Sequence, residues 1–296
     1  MRREPAQKKA QSVLELLTTY GWALVVIMVV LIALYSLGIL NTNNLGPKAA
    51  PGSCQVYKQP GYPASLGGQC SGTVPQFVGV FTGGSVASYV TLSNTVTTSL
   101  SSFTATVWFL TTNGIGWNAT VAFKDGSNHG WEARVCIPTS GGGVEARIDT
   151  SALVNQGTAC GSVNTLNGRW HFEALTYSYA TGNAISYRDG MPTGSPTAIS
   201  GTIPTLTSVG GIGYGTIDHN FGGELANVQI YNTTLSASDI QNLYLEGIGG
   251  APINLNYLVG WWPLNGNAND YSGNGHNGVS TNVAYTSNWT SGYTVP

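Results

Sequence analysis

Hydrophobic and polar residues follow two different rhythms along this chain. From Leu16 to Leu40 there is no charged residue, an apolar run of 25 residues. As a helix it reaches roughly 37 Å at about 1.5 Å per residue, enough to cross a hydrocarbon core of ~30 Å with some tilt. Arg2, Arg3, Lys8 and Lys9 stand before it, a cluster that holds an N-terminus in the cytoplasm and places everything after Leu40 outside. Pro47 and Pro51 break the next stretch, so residues 41–53 read as an extended linker. From Val74 onward the rhythm shortens to two. Phe103-Thr-Ala-Thr-Val-Trp-Phe-Leu110 predicts a strand with Phe103, Ala105, Val107 and Phe109 inward and Trp108 and Leu110 on the other face. Further strands are predicted at Tyr89–Leu92, 119–123, 131–137, 144–148, 170–177, 184–188 and 224–231, separated by Gly/Ser/Asn/Pro clusters. One amphipathic helix interrupts them from Ser236, its capping serine, to Glu246, with Ile240, Leu243 and Tyr244 on one stripe. Short strands so spaced predict a mainly β sandwich rather than βαβ units.

Composition sharpens this picture. Charged residues make up 8% of the chain and the net charge is −2, while glycine alone numbers 40. No basic patch exists to neutralise phosphates, which argues against nucleic-acid binding. The four cysteines, Cys54, Cys70, Cys136 and Cys160, all follow the apolar run, and none stands in a C-x-x-C pair. They allow three connectivities. The sequential one, Cys54–Cys70 and Cys136–Cys160, is favoured; each bridge would contribute about 3 kcal/mol by loop-entropy arguments. Residues 54–70 then form a stapled collar, with linker and collar together spanning 41–74. Asn118, Asn232 and Asn288 open N-x-T triplets and are glycosylation candidates.

Lys8-Lys9-Ala10, then Gln11-Ser-Val-Leu-Glu15, then the uncharged run, resembles the type IV pilin family in its archaeal form with a class III signal peptide. The resemblance implies that a prepilin peptidase removes leader 1–10 between Ala10 and Gln11. It also implies that Glu15 pairs with the new amine of Gln11 on a neighbouring subunit, and that helices 11–40 bundle into a homopolymeric filament core. On that reading the precursor sits in the cell membrane and meets the pilus assembly machinery, and the mature protein is an extracellular filament. A plain single-pass anchor and a secretory signal peptide are the alternatives.

The region after the collar, 75–296, resembles the laminin-G-like or concanavalin-like jelly rolls. The likeness is carried by Phe81-Thr-Gly-Gly-Ser with Tyr89-Val-Thr-Leu, by Phe103–Trp108, by Asn167-Gly-Arg-Trp-His171 with Tyr187-Arg-Asp-Gly190, and by Phe221–Tyr231. Leu258–Gly278 looks like the usual opening of such a domain yet comes last, which implies circular permutation, the last segment completing the sheet that the first residues leave open.

Candidate chemistry is sparse. Asn265, Asn267, Asn269, Asp270 and Asn274 crowd one Gly-rich loop whose hard oxygens suit calcium, while the single carboxylate favours the more frequent alternative, an Asn-rich turn satisfying its own backbone. Asp125, Asp218 and Glu224 have no carboxylate partner nearby in sequence, so the acid pair of a glycosidase is not apparent and no enzyme activity is expected. His129, His171, His219 and His276 lie far apart, and His171 beside Trp170 reads as a strand residue. Trp117 and Tyr214 are candidates for stacking on sugars. The sequence therefore predicts a structural filament subunit whose head is exposed for adhesion, or alternatively a carbohydrate-binding adhesin, anchored or at a pilus tip, with surface glycans as partners.

Overall fold

The computed structural model describes residues 20–30, 32, 56–57, 65–66, 74–84, 88–96, 101–114, 117–125, 127–152, 156–206, 210–214 and 220–296. The chain divides into two compact units, Met1–Pro47 and Lys48–Pro296. In the first, residues 20–30 and 32 are helical and exposed. No helix among the described residues is long and apolar enough to cross a membrane. This corrects the expectation of a long transmembrane or filament-core helix over 11–40. The physical reason lies in the residues. Val25, Val26, Ile27, Val29 and Val30 are β-branched and weak helix formers, and all are about half or more exposed, so tertiary packing does not prop the helix up. An apolar run states what it avoids, water, and leaves its backbone undetermined. Ala10, Gln11, Glu15, Cys54 and Cys70 lie outside the described residues.

In the second unit, β1 (Val56–Tyr57) and β2 (Ser65–Leu66) form a short antiparallel ribbon. Two antiparallel sheets follow. The larger contains β3 (Val78–Thr82), β5 (Phe103–Leu110), β9 (Trp170–Ser178), β10 (Asn183–Arg188), β11 (Met191–Pro192), β12 (Thr197–Ala198), β14 (Gly222–Tyr231), β15 (Leu258–Trp262) and β17 (Ala284–Thr286). Its order is β11-β10-β9-β5-β14-β3-β17, with β12 on β10 and β15 on β14. The smaller contains β4 (Tyr89–Leu92), β6 (Asn118–Lys124), β7 (Gly130–Val135), β8 (Val144–Asp149), β13 (Gly210–Ile212) and β16 (Val279–Thr281), in the order β16-β4-β13-β6-β7-β8.

Period-two alternation explains why these strands pair. Phe103, Ala105, Val107 and Phe109 enter the core between the sheets, where Phe103 packs 4.7 Å from Trp131 and 5.8 Å from Tyr177 between ring centres. Trp108 points the other way, into a second apolar layer on the outer face of the larger sheet. That layer is closed by Trp261, Trp289 and the helix α1 (Ala237–Leu245), which contributes Ile240 and Leu243. Ser236 caps α1: its hydroxyl accepts from Asp239 N–H, and the Asp239 carboxylate accepts from Ser236 N–H.

The C-terminal segment closes both sheets. β15 pairs with β14, β17 with β3, and β16 with β4, so Leu258–Thr286 supplies strands to both sheets, two of them beside the early strands β3 and β4.

Candidate functional site

At one pole of the sandwich the chain passes between sheets three times: between Thr82 and Tyr89, between Leu110 and Asn118, and between Ile212 and Gly222. Backbone pairing ties these crossings together. Thr82 lies opposite Gly222, Asn220 bridges Ala119 in parallel, and Phe221 N–H donates to Gly213 O at 3.1 Å. The Thr111 hydroxyl donates to Gly222 O at 2.5 Å, and Asn118 Nδ2 donates to Asn113 O at 2.9 Å.

Between the crossings lies a cleft of about 750 Å³. Among the described residues its walls carry three threonines (Thr82, Thr111, Thr112), two asparagines (Asn113, Asn220), the glycines 83, 84, 222 and 223, the apolar Val80, Phe81 and Leu110, and one acid, Glu224. The glycines are steric requirements. A Cβ on Gly222 would stand 2.6 Å from Asn113 Nδ2, and one on Gly223, whose φ is +146°, would overlap the Leu110 carbonyl oxygen. Glu224 lies on β14 opposite Val80 of β3 and Leu110 of β5. Burial against these apolar neighbours raises its pKa above the ordinary value. Glu224 Oε2 and Asn220 Oδ1 are both buried and have no hydrogen-bond partner among the described residues.

Aromatic residues stand near the same pole. Tyr214 folds against Tyr89 with ring centres 5.0 Å apart, and the Arg134 guanidinium lies 4.0 Å over the Trp117 ring. Both Tyr214 and Trp117 are half-buried, so each is partly committed to packing.

Along the outer face of the smaller sheet runs an ionic ladder that sequence spacing did not reveal. Lys124 Nζ meets Asp149 at 2.9 Å and Glu132 at 3.5 Å, Arg134 meets Glu132 at 2.8 Å and Glu145 at 3.0 Å, and Arg147 meets Asp149 at 3.2 Å. Glu132 and Asp149 are essentially inaccessible. Burial raises the Glu145 pKa even against the pull of Arg134. The Glu145 carboxylate also lies beside Cys136 and Cys160, which form a disulfide as the sequential pairing anticipated. Between the sheets, Glu173 is fully buried and its pKa is pushed up to about 8, although Thr120 Oγ1 donates to it at 2.7 Å.

Residues 82–241 match a family described as the concanavalin A-like lectin/glucanases superfamily. The chain belongs to this superfamily. No curated protein matches it in sequence. Among solved structures, a candidate carbohydrate-binding protein of Bacteroides ovatus superposes with a TM-score of 0.56 at 17% identity, over 80% of this chain and 70% of that one. The heptameric SAP-like pentraxin of Limulus polyphemus gives a TM-score of 0.52 at 14% identity, over 72% of this chain and 96% of that one. Identities this low speak to the fold.

In this concanavalin A-like domain the other sequence candidates are dispersed. The Asn-rich loop holds itself together. Asp270 Oδ1 accepts from the Trp261 and Ser272 amides, and Oδ2 accepts from the Ser272 hydroxyl and the His276 amide, at 2.8 to 3.0 Å. Asn267 Oδ1 accepts from Asn269 N–H, and Asn274 Nδ2 donates to the Leu258 and Val259 carbonyls. For a calcium ion to bind there, the Asp270 oxygens would have to give up those donors. Asp125 is a loop organiser: burial opposes its ionisation, but hydrogen bonds from His129 and Ser127 hold its pKa below the ordinary value. His171 sits on β9, with Nδ1 3.0 Å from Asp189. Asp218 and His219 lie outside the described residues. Of the glycosylation candidates, Asn232 and Asn288 are exposed, whereas Asn118 is fully buried at the head of β6.

Proposed function

We propose that the β domain is a carbohydrate-binding module that takes a glycan in the cleft at the crossing pole. The carrying observation is the cleft itself: about 750 Å³ walled, among the described residues, by the apolar Val80, Phe81 and Leu110 together with hydroxyls, amides, bare glycine backbone and a single carboxylate. That volume falls within the range of about 300–1,000 Å³ usual for ligand sites. Hydroxyl, amide and carboxylate groups match a sugar's ring of hydroxyls, each of which both donates and accepts. The superfamily and the resemblance to a candidate carbohydrate-binding protein support the reading. The proposal is binding without hydrolysis, because glycosidases work with two carboxylates and Glu224 is the one acid among the described wall residues. A disulfide at Cys136–Cys160 suits display in an oxidising, extracellular setting.

The test is a glycan array with the purified full chain, followed by calorimetry on the hits. Thr112→Trp, at the exposed rim, should block the cleft and abolish binding while leaving the melting temperature unchanged. Absence of any glycan binding, or unimpaired binding by Thr112→Trp, would remove the support.

A further inference from the structure

We infer that reduction of the Cys136–Cys160 disulfide creates a site for one zinc-class cation, its ligands the two cysteine sulfurs and the Glu145 carboxylate. Among the described residues these three form the one group of histidine, cysteine or acidic ligand atoms gathered closely enough to hold a metal, all within 4.8 Å of one another. They come from three elements. Cys136 directly follows β7, Glu145 lies on β8, and Cys160 belongs to the stretch 156–161 that pairs with the free edge of β8. Glu145 Oε2 stands 3.7 Å from Cys136 Sγ and 3.4 Å from Cys160 Sγ. Tetrahedral zinc, with Zn–S of about 2.3 Å and Zn–O of about 2.0 Å, sets a sulfur and an oxygen ligand roughly 3.5 Å apart. The oxygen is thus already at ligand spacing from both sulfurs, which on losing their bond need only part to roughly 3.8 Å. In the disulfide neither sulfur carries a proton to donate. Glu145 Oε2 takes its donors from Arg134, whose Nη2 and Nε reach it at 3.0 and 3.2 Å. That guanidinium holds the carboxylate as outer partners hold a metal ligand.

Charge and ligand softness decide the class of ion. On this face Lys124, Arg134 and Arg147 balance Glu132, Glu145 and Asp149. Two thiolates with one divalent cation add no net charge to that buried set, whereas either alone would leave charge uncompensated. Thiolate sulfur selects zinc over calcium and magnesium, which take oxygen ligands. Cys160 is half-buried, so solvent reaches the fourth position. A dithiol reductant supplies the two electrons and two protons that split the S–S bond into two thiols, while its own sulfurs close into a disulfide. Binding then forms two S–Zn bonds and one O–Zn bond and releases both thiol protons to solvent. Disulfide and cation are alternative clamps on the stretch 156–161, one for oxidising and one for reducing conditions.

The experiment uses the full chain carrying Cys54→Ser and Cys70→Ser, reduced anaerobically with a phosphine, which leaves no competing thiol in solution. Zinc is titrated by calorimetry and cobalt(II) by absorption, with circular dichroism following the fold. The reduced chain should bind one equivalent of zinc, melt at a higher temperature with it, and give thiolate-to-cobalt charge-transfer absorption; the disulfide form should do none of these. Glu145→Gln keeps an acceptor for Arg134 and should weaken zinc at least about tenfold, no less than the loss of an outer partner does. Where that variant fails to fold, Cys160→Ala at the half-buried position serves instead, and should weaken zinc at least about tenfold and diminish the charge-transfer absorption. A reduced chain that binds no stoichiometric zinc, equal binding by the disulfide form, or undiminished binding by the folded variant would each overturn the inference.

Discussion

Arg134 on β7 and Glu145 on β8 meet as a two-pronged ion pair, with Arg134 Nη2 3.1 and 3.0 Å from the two Glu145 oxygens. The pair follows from a repeated Glu-Ala-Arg. β7 carries Trp131-Glu-Ala-Arg134 and β8 carries Val144-Glu-Ala-Arg147, and antiparallel register sets Glu132 opposite Arg147 and Arg134 opposite Glu145. Removing Arg134 takes away a cation that both Glu132 and Glu145 share in a buried setting. Arg134→Ala should therefore destabilise the domain by about 3–5 kcal/mol. Glu145→Ala in the same chain should recover part of that loss. Urea unfolding of the three variants checks this, and a single-mutant loss below about 1 kcal/mol, the size of an exposed pair, would show the ladder to be inert.

Glu173 predicts a pH dependence with a definite sign. Its pKa rises from an ordinary 4.5 to about 8 in the folded state. Between those values the unfolded chain has lost the proton and the folded chain keeps it, so stability falls as pH rises through that window. The slope approaches about 1.4 kcal/mol per pH unit for one such group. Glu173→Gln keeps an acceptor for Thr120 and cannot ionise, so it should flatten the decline and stabilise the domain most at the alkaline end. Chemical unfolding at about pH 5, 6.5 and 8 decides it; parallel curves for variant and wild type would contradict the assignment.

Trp108 joins β5 to the helix layer, its ring stacked on Tyr244 at 5.6 Å and 18°. Trp108→Ala should cost about 3–5 kcal/mol. The loss should also speed amide exchange in α1 more than in β7 and β8, whose buried apolar residues belong to the other layer. Uniform exchange throughout the domain would show the helix and sandwich to be one cooperative unit.

Asp270 accepts four hydrogen bonds, three from its own loop and one from the Trp261 amide on β15. Asp270→Ala should destabilise the domain by at least about 3 kcal/mol, given roughly 1.5–3 kcal/mol for each bond to a charged group with incomplete additivity. Millimolar calcium should leave the melting temperature of the wild-type chain unmoved. A calcium-dependent rise that Asp270→Ala abolishes would instead make this loop a metal site.

Residues close in sequence determined what periodicity and capping can express. Phe103–Leu110 forms a strand with the inward set that its alternation dictates, and Ser236 with Asp239 starts α1, because side-chain direction in a strand and donors at a helix end are local matters. The Glu-Ala-Arg repeat was present in the sequence too, but its meaning depends on antiparallel register. The apolar run over 11–40 marks the limit of composition, since hydrophobicity alone leaves helix length to packing. Only tertiary structure decided the cleft. Glu224 meets Val80 and Leu110 through pairing with two strands far away in the chain, and Asn220 joins it by bridging Ala119. An isolated acid in the sequence thus becomes a desolvated acceptor, because its burial depends on which distant strands fold against it.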